Sequence, residues 1–238
     1  MNSTTLQELI SGSVLLIDKP VDWTSFDVVN KIRQAIRKRG KLKKLKVGHA
    51  GTLDPFASGL LIICTGSKTK DIDQFMNLDK EYISVFELGK ETDSYDLTGS
   101  IVNEIPTEAF DTNMIRNTIT TKFLGDIEQE PPMFSAKKIE GKRLYQLARQ
   151  GKTVERQKRP VRVSNFEILD YSHPDLTVQI NCSKGTYIRS LAHDLGHALG
   201  TAAFCKTLQR SAIGSYRLEQ ALTLSEWLDR FERDNPTE

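Results

Sequence analysis

The longest uninterrupted apolar run in the chain, Leu60 to Cys64, is long enough for a β-strand and for nothing larger. No segment approaches the length of a membrane-crossing helix, so the chain is expected to have no membrane partner. A core must therefore be assembled from many short segments, each contributing one face. At 238 residues there is enough chain for a large buried core, in one domain or one domain with a small appendage. Val14 to Ile17 reads as a strand ending at Lys19-Pro20. Thr24 and Ser25 can cap a helix that sets Val28, Val29, Ile32 and Ile36 on one face and stops at Gly40. A short strand near Val47 leads into a loop rich in Gly, His and Asp (Gly48 to Gly59), and Leu60 to Cys64 follows as a strand.

Further along, a helix is expected around Asp71 to Leu78. A strand follows at Tyr82 to Leu88, where both alternating sets are largely apolar and predict burial on both faces. Helices are predicted over Asn113 to Phe123, Gly141 to Gln150 and Tyr187 to Leu199, the last ended by Gly200. Val161 to Tyr171 and Leu176 to Cys182 read as a strand pair turned at His173-Pro174-Asp175. Strand candidates between Phe204 and Tyr216 and a closing helix from Ser225 to Phe231 complete the pattern. Strands and helices alternate, with hairpins among them, which predicts a mixed sheet with packed helices.

Hydrophobic residues make up 38% of the chain and charged residues 27%, a globular composition. Met1 to Ser13 has no basic segment followed by an apolar run, so nothing predicts secretion. Cys64, Cys182 and Cys205 are odd in number and widely spaced, which argues against a disulfide framework and fits a reducing cytoplasm. The formal net charge of +2 hides a strong asymmetry. Lys31 to Lys46 holds nine Lys or Arg and no acid, and Lys137 to Arg162 holds ten against Glu140 and Glu155. One such run is ordinarily a solvated face; two predict a polarised surface and a polyanionic partner.

Asp54 stands in Gly48-His49-Ala50-Gly51-Thr52-Leu53-Asp54-Pro55, just ahead of the apolar strand. Glycines allow the backbone to bend or approach a ligand closely, and Pro55 biases Asp54 toward an extended conformation. A carboxylate held by a stiff loop at the mouth of a core strand can serve as nucleophile or base. On the local pattern alone, an Asx-turn aspartate is the better fit, since Asp-Pro is common in such turns.

The stretch from Val47 to Gly66, VGHAGTLDPFASGLLIICTG, resembles the catalytic motif of the TruB family of tRNA pseudouridine synthases. Asp18-Lys19-Pro20 followed by Thr24-Ser25 is similar to that family's N-terminal motif, and Lys80-Glu81-Tyr82 to the strand carrying its active-site tyrosine. Glu130 to Ala136 and Gly141 to Tyr145 resemble its RNA-gripping insertion. Cys182 to Arg189 resembles the motif holding its second tyrosine and its arginine, and Leu208-Gln209-Arg210 its last core motif. These windows span residues 14 to about 216 in family order. Three positions depart from the family pattern: Asp22 in place of Gly, Phe134 in place of Tyr, and Gln209 in place of Arg. The residues after Tyr216 are too few for the C-terminal PUA domain that many members carry, so a single catalytic domain over 1–238 with a short tail from 217 is expected.

The resemblance implies an α+β pseudouridine synthase fold, a central mixed β-sheet flanked by helices and loops, with an RNA-gripping insertion. It implies an isomerase acting on uridine 55 in the T-arm of tRNA, without cofactor, metal, guide RNA or protein partner, as a cytoplasmic monomer. Asp54 would be the nucleophile or base, with Tyr82 stacking on the flipped base and Arg189 paired with Asp54. His49, Tyr187, Leu208, Lys19 and Lys184 would bind the substrate, and Lys142, Arg143 and Arg149 the RNA backbone. Two further motifs carry less. His193-Asp194-Leu195-Gly196-His197 places histidines at i and i+4 of a helix, but an interior glycine and an Asp after the first His depart from the zinc-protease pattern, so no metal is assigned. Gly66-Ser67-Lys68-Thr69 lacks the upstream glycine spacing of a P-loop.

Overall fold

The computed structural model describes residues 4–135, 138, 139, 142, 143 and 154–234. The elements in chain order begin with α1 (Leu6–Ser11), β1 (Val14–Lys19), α2 (Ser25–Arg39), β2 (Val47–His49) and β3 (Ser58–Thr65). A 3₁₀ turn then leads to α3 (Ile72–Met76). Next come β4 (Lys80–Leu88), β5 (Lys90–Thr92), β6 (Ile101–Glu104), α4 (Thr112–Lys122) and β7 (Gly125–Gln129). After these lie the two-residue strands β8 (Lys138–Ile139) and β9 (Lys142–Arg143), then β10 (Arg159–Ser172), β11 (Asp175–Cys182) and α5 (Ile188–Ala198). The chain closes with β12 (Ala203–Ile213), β13 (Tyr216–Arg217), β14 (Leu222–Thr223) and α6 (Leu224–Asp234). The fold class is α+β, and parallel and antiparallel strand pairs are mixed within it. The helix expected over Gly141 to Gln150 lies outside the described residues, apart from β9.

The chain divides into two compact units, one formed by residues up to Glu81 and from Gln209 onward, the other by Tyr82–Leu208. The boundaries fall inside β4 and β12.

In the first unit the strand order is β14-β1-β3-β12, with β2 on β3 and β13 on β12. β1 is antiparallel to β3, whereas β12 is parallel to it, with Gln209 opposite Ser58 and Arg210 opposite Gly59. Strand β3 is buried on both faces, as its unbroken apolar run requires. Leu61 and Ile63 join a core with Val28, Val29, Ile32 and Ile36 of α2 and with Trp227 and Phe231 of α6. Leu60, Ile62 and Cys64 face the other way, against Ala50 and Ile213. Helix α2 starts as its sequence predicts: the Thr24 side chain accepts from Asp27 N–H and the Asp27 carboxylate accepts from Thr24 N–H.

In the second unit the order is β12-β4-β11-β10-β7. β10 and β11 form a long antiparallel hairpin. Phe86 and Phe123 meet Phe166 edge-on, and Ile115 and Ile119 bury the inner face of α4. Strand β4 departs from its expectation. Tyr82, Ser84, Phe86 and Leu88 are buried, but Ile83, Val85 and Glu87 are only half-buried, so one face is covered fully and the other in part. Local pattern reports that both faces tolerate burial; whether a second layer covers them is a tertiary matter. The hairpin β5–β6, whose second strand is exposed throughout, has no apolar run to announce it.

Candidate active-site elements

The first unit presents Asp54 on a loop fixed from both sides. Ser25, at the start of α2 and 1% exposed, accepts from Leu53 N–H at 2.8 Å and donates to Leu53 C=O at 3.2 Å. On the other side, Pro55 C=O accepts from Asp22 N–H at 2.8 Å and from Lys19 Nζ at 3.3 Å, while Ala57 N–H reaches Asp54 C=O at 3.1 Å. The half-buried Asp54 carboxylate is thus carried on backbone held at the residue before it and the residue after it.

Lys19 is fully buried, and its ammonium gives its other hydrogen bonds to Pro20 C=O and Trp23 C=O, both at 2.6 Å. Burial pushes its pKa down to about 8, opposed chiefly by the negative charge of Asp54. Lys19 therefore acts on backbone carbonyls and couples electrostatically to Asp54. His49 ends β2, half-buried, and burial followed by the nearby Arg210 charge lowers its pKa.

Arg210 is the largest fully buried side chain described, at 1% exposure. It donates from Nε to Leu60 C=O at 2.8 Å and from Nη2 to Gly51 C=O at 3.1 Å, tying the loop's beginning to the strand that follows it. Where Arg210 passes Gly59, a Cβ on that glycine would lie 2.4 Å from Arg210 C=O and φ is +105°, so only glycine fits. Sequence reasoning placed Arg210 in a motif window but gave it no role. No local signal singled it out, because the same stretch, Phe204 to Ile213, also holds Lys206, Thr207, Gln209 and Ser211.

The first basic segment surrounds a surface hollow lined by Arg33, Arg37, Lys43, Lys44 and Lys46 beside Gly48. Arg33 donates to Val47 C=O at 3.0 Å, so the hollow adjoins the strand that leads into the Asp54 loop.

The second unit carries the other candidates. Arg189, in the first turn of α5, is 2% exposed and lies 3.2 Å from the Asp96 carboxylate. It also donates to Ser94 C=O at 2.9 Å and Phe134 C=O at 2.8 Å. Asp96 in turn accepts from Ser94 Oγ, Thr98 N–H and Thr98 Oγ1. Asp96 went unnoticed in the sequence because its partner lies 93 residues away, beyond any local pattern. Tyr187 is the N-cap residue of α5, and the Gln129 side chain clamps its backbone, accepting from N–H at 2.7 Å and donating to C=O at 2.9 Å. Tyr82 and Leu208 are buried on the neighbouring strands β4 and β12. Lys184 is exposed in the turn before α5. Lys142 and Arg143 form β9, paired with β8; their side chains and all of Arg149 lie outside the described residues.

Among the described residues no helix is long and apolar enough to cross a membrane, and Cys64, Cys182 and Cys205 are all buried and outside any disulfide.

Residues 38–188 match the model of the TruB family pseudouridylate synthase, N-terminal domain. The chain is 47% identical over 224 residues to a protein of Phocaeicola vulgatus named tRNA pseudouridine synthase B, covering 93% of this chain and 95% of that one. A protein of the same name from Parabacteroides distasonis is 45% identical over 228 residues, covering 96% of each. Among solved structures, one described as a Cbf5-Nop10-Gar1 complex aligns with a TM-score of 0.72 at 28% identity. That alignment covers 98% of this chain, which spans 59% of the solved one.

Proposed function

The chain belongs to the TruB family of pseudouridylate synthases, and from that premise we propose that it isomerises uridine 55 in the T-loop of tRNA to pseudouridine. The observation that carries the proposal is the anchoring of Asp54 on both sides, by Ser25 at Leu53 and by Lys19 and Asp22 at Pro55. A reacting carboxylate must be held in place before its substrate arrives, because orientation supplies much of the rate.

The reaction breaks the bond between N1 of the base and C1′ of the ribose and makes one between C5 and C1′; the hydrogen at C5 is lost and N1 gains one. Atoms and electrons balance within the nucleoside, so the chemistry asks for a nucleophile or base and not for an oxidant or group donor. Asp54 fills that role. The target base is stacked inside a folded T-loop and must be flipped out, at a cost of a few kcal/mol. Stacking on an aromatic side chain returns about 1–3 kcal/mol, and Tyr82 provides it. Leu208 gives the base an apolar wall, and Arg189 a buried positive charge. His49, Tyr187, Lys19 and Lys184 position these groups and the substrate. The basic segments, with Lys142, Arg143 and Arg149 in the second, grip the phosphate backbone, which positions the RNA, while the shape of the loop and the flipped base specify it. The protein works as a monomer, with no guide RNA and no protein partner.

The test is to incubate purified protein with an unmodified tRNA transcript alone and map pseudouridine at single-nucleotide resolution. Stoichiometric conversion at position 55 is expected. Tight tRNA binding without any conversion would reduce the protein to an RNA-binding module, and conversion only after adding a second RNA or protein would overturn the stand-alone reading.

A further inference from the structure

The histidine pair of α5 has acquired a third member that the sequence did not reveal. Glu91, on β5, places one carboxylate oxygen 3.0 Å from His193 Nε2 and the other 3.4 Å from His197 Nε2. The three ligand atoms lie within 4.8 Å of one another. All three residues belong to the second unit.

His193 is the informative member. Its Nδ1 lies 2.9 Å from the Asp194 carboxylate and its Nε2 faces Glu91, so both ring nitrogens face carboxylate oxygens. A neutral imidazole has one N–H and one lone pair. With Nδ1–H given to Asp194, the Nε2 lone pair points at a negative oxygen, an arrangement that needs positive charge between them. An outer carboxylate on one nitrogen, orienting the other toward a cation, is the usual support of a metal-binding histidine. Tyr95 stacks on the His193 ring with centroids 3.9 Å apart, fixing its plane. The His197 side chain is 51% exposed, which opens the cluster to ions from solvent and leaves room for a water ligand.

The geometry points to a divalent transition-metal site, best suited to zinc, formed by Glu91, His193 and His197. Metal–nitrogen and metal–oxygen bonds of about 2.0–2.2 Å set tetrahedral ligand separations near 3.4 Å. The two Glu91 contacts already lie near that spacing, and the widest separation has to close by no more than about 1.4 Å. Two imidazoles and one carboxylate suit zinc and its neighbours, whereas magnesium and calcium take oxygen ligands. The site clasps β5 to α5. The same two stretches of chain supply Asp96 and Arg189, so the ion braces that buried pair from the next turn of the helix and takes no part in bond making.

Untagged protein, stripped with a chelator and dialysed, would be titrated with zinc by calorimetry and scanned for thermal unfolding with and without the ion. One zinc per chain and a rise in Tm are expected, with magnesium unable to compete. His197→Ala and Glu91→Gln should each weaken zinc binding at least about ten-fold and remove the Tm rise, and Asp194→Asn should weaken it about ten-fold. Because His197 is half-exposed, its variant tests the site with little risk to folding. No saturable zinc binding, or binding that survives His197→Ala and Glu91→Gln unchanged, as coordination by the cysteines would, overturns the proposal.

Discussion

Replacing Ser25 by Ala isolates the anchor on the N-terminal side of Asp54. The Ser25 hydroxyl is almost wholly buried and is engaged by both backbone groups of Leu53, itself 3% exposed. Alanine removes the acceptor for the Leu53 N–H, and a buried donor left without a partner costs about 1–3 kcal/mol. Alanine's better helix propensity at the start of α2 returns about 0.5 kcal/mol. The net loss of unfolding free energy should be about 1–2 kcal/mol, a fall in Tm of about 2–8 °C for a domain of this size. Asp54 follows Leu53 directly, so slack there displaces the carboxylate, and a misplacement of about an ångström costs about 100-fold in rate. The single-turnover rate on tRNA should therefore drop about 10- to 100-fold while tRNA affinity stays near wild type. Urea unfolding and rapid-quench turnover measure the two quantities separately. A variant that loses stability but reacts at the wild-type rate would refute the claim that this anchor sets the position of Asp54. One that loses neither would refute the buried hydrogen bonds themselves.

Asp54→Asn keeps the shape of the side chain and removes the nucleophile or base, so fold and tRNA binding should persist while product formation in a single turnover vanishes. Lys19 supplies a pH signature: its folded pKa lies near 8, below the usual lysine value of 10.5, so between these values the unfolded chain binds more protons and the folded state gains stability as pH rises. The wild type should gain stability relative to Lys19→Met from pH 8 to 10 in parallel urea titrations, and a flat difference would remove the buried ammonium. Arg189→Met strands Asp96 in a 4%-exposed position, and breaking a buried pair costs about 3–5 kcal/mol, so stability and activity should both fall steeply. Replacing Lys142, Arg143 and Arg149 together by Ala should weaken tRNA binding and flatten its dependence on salt. Each phosphate that is no longer neutralised makes the log–log slope shallower by about 0.7–0.9. The chemical step at saturating RNA should be nearly unchanged.

Sequence alone determined whatever depends on neighbours along the chain. The Thr24 cap, the α2 face of Val28, Val29, Ile32 and Ile36, the strand at Leu60 to Cys64 and the hairpin of β10 and β11 were all legible. Each is set by a period of 3.6 or 2 residues, by a capping side chain or by turn residues, and those forces act within a few residues. Asp54 was legible through a motif, which marks the residue without showing what holds it. What only tertiary structure decided is where charged and polar side chains find partners. The motif gave Lys19 a substrate-binding role without its partners; in the fold it is buried, donating to Pro55 C=O from 36 residues away. Arg210 reaches Leu60 across 150 residues, Gln129 reads Tyr187 across 58, and Glu91 meets His193 across 102. A buried polar group must be satisfied, but composition and period do not say by which atom. That choice is made when folding brings distant backbone carbonyls and carboxylates within hydrogen-bonding distance, and it exists only in the folded chain.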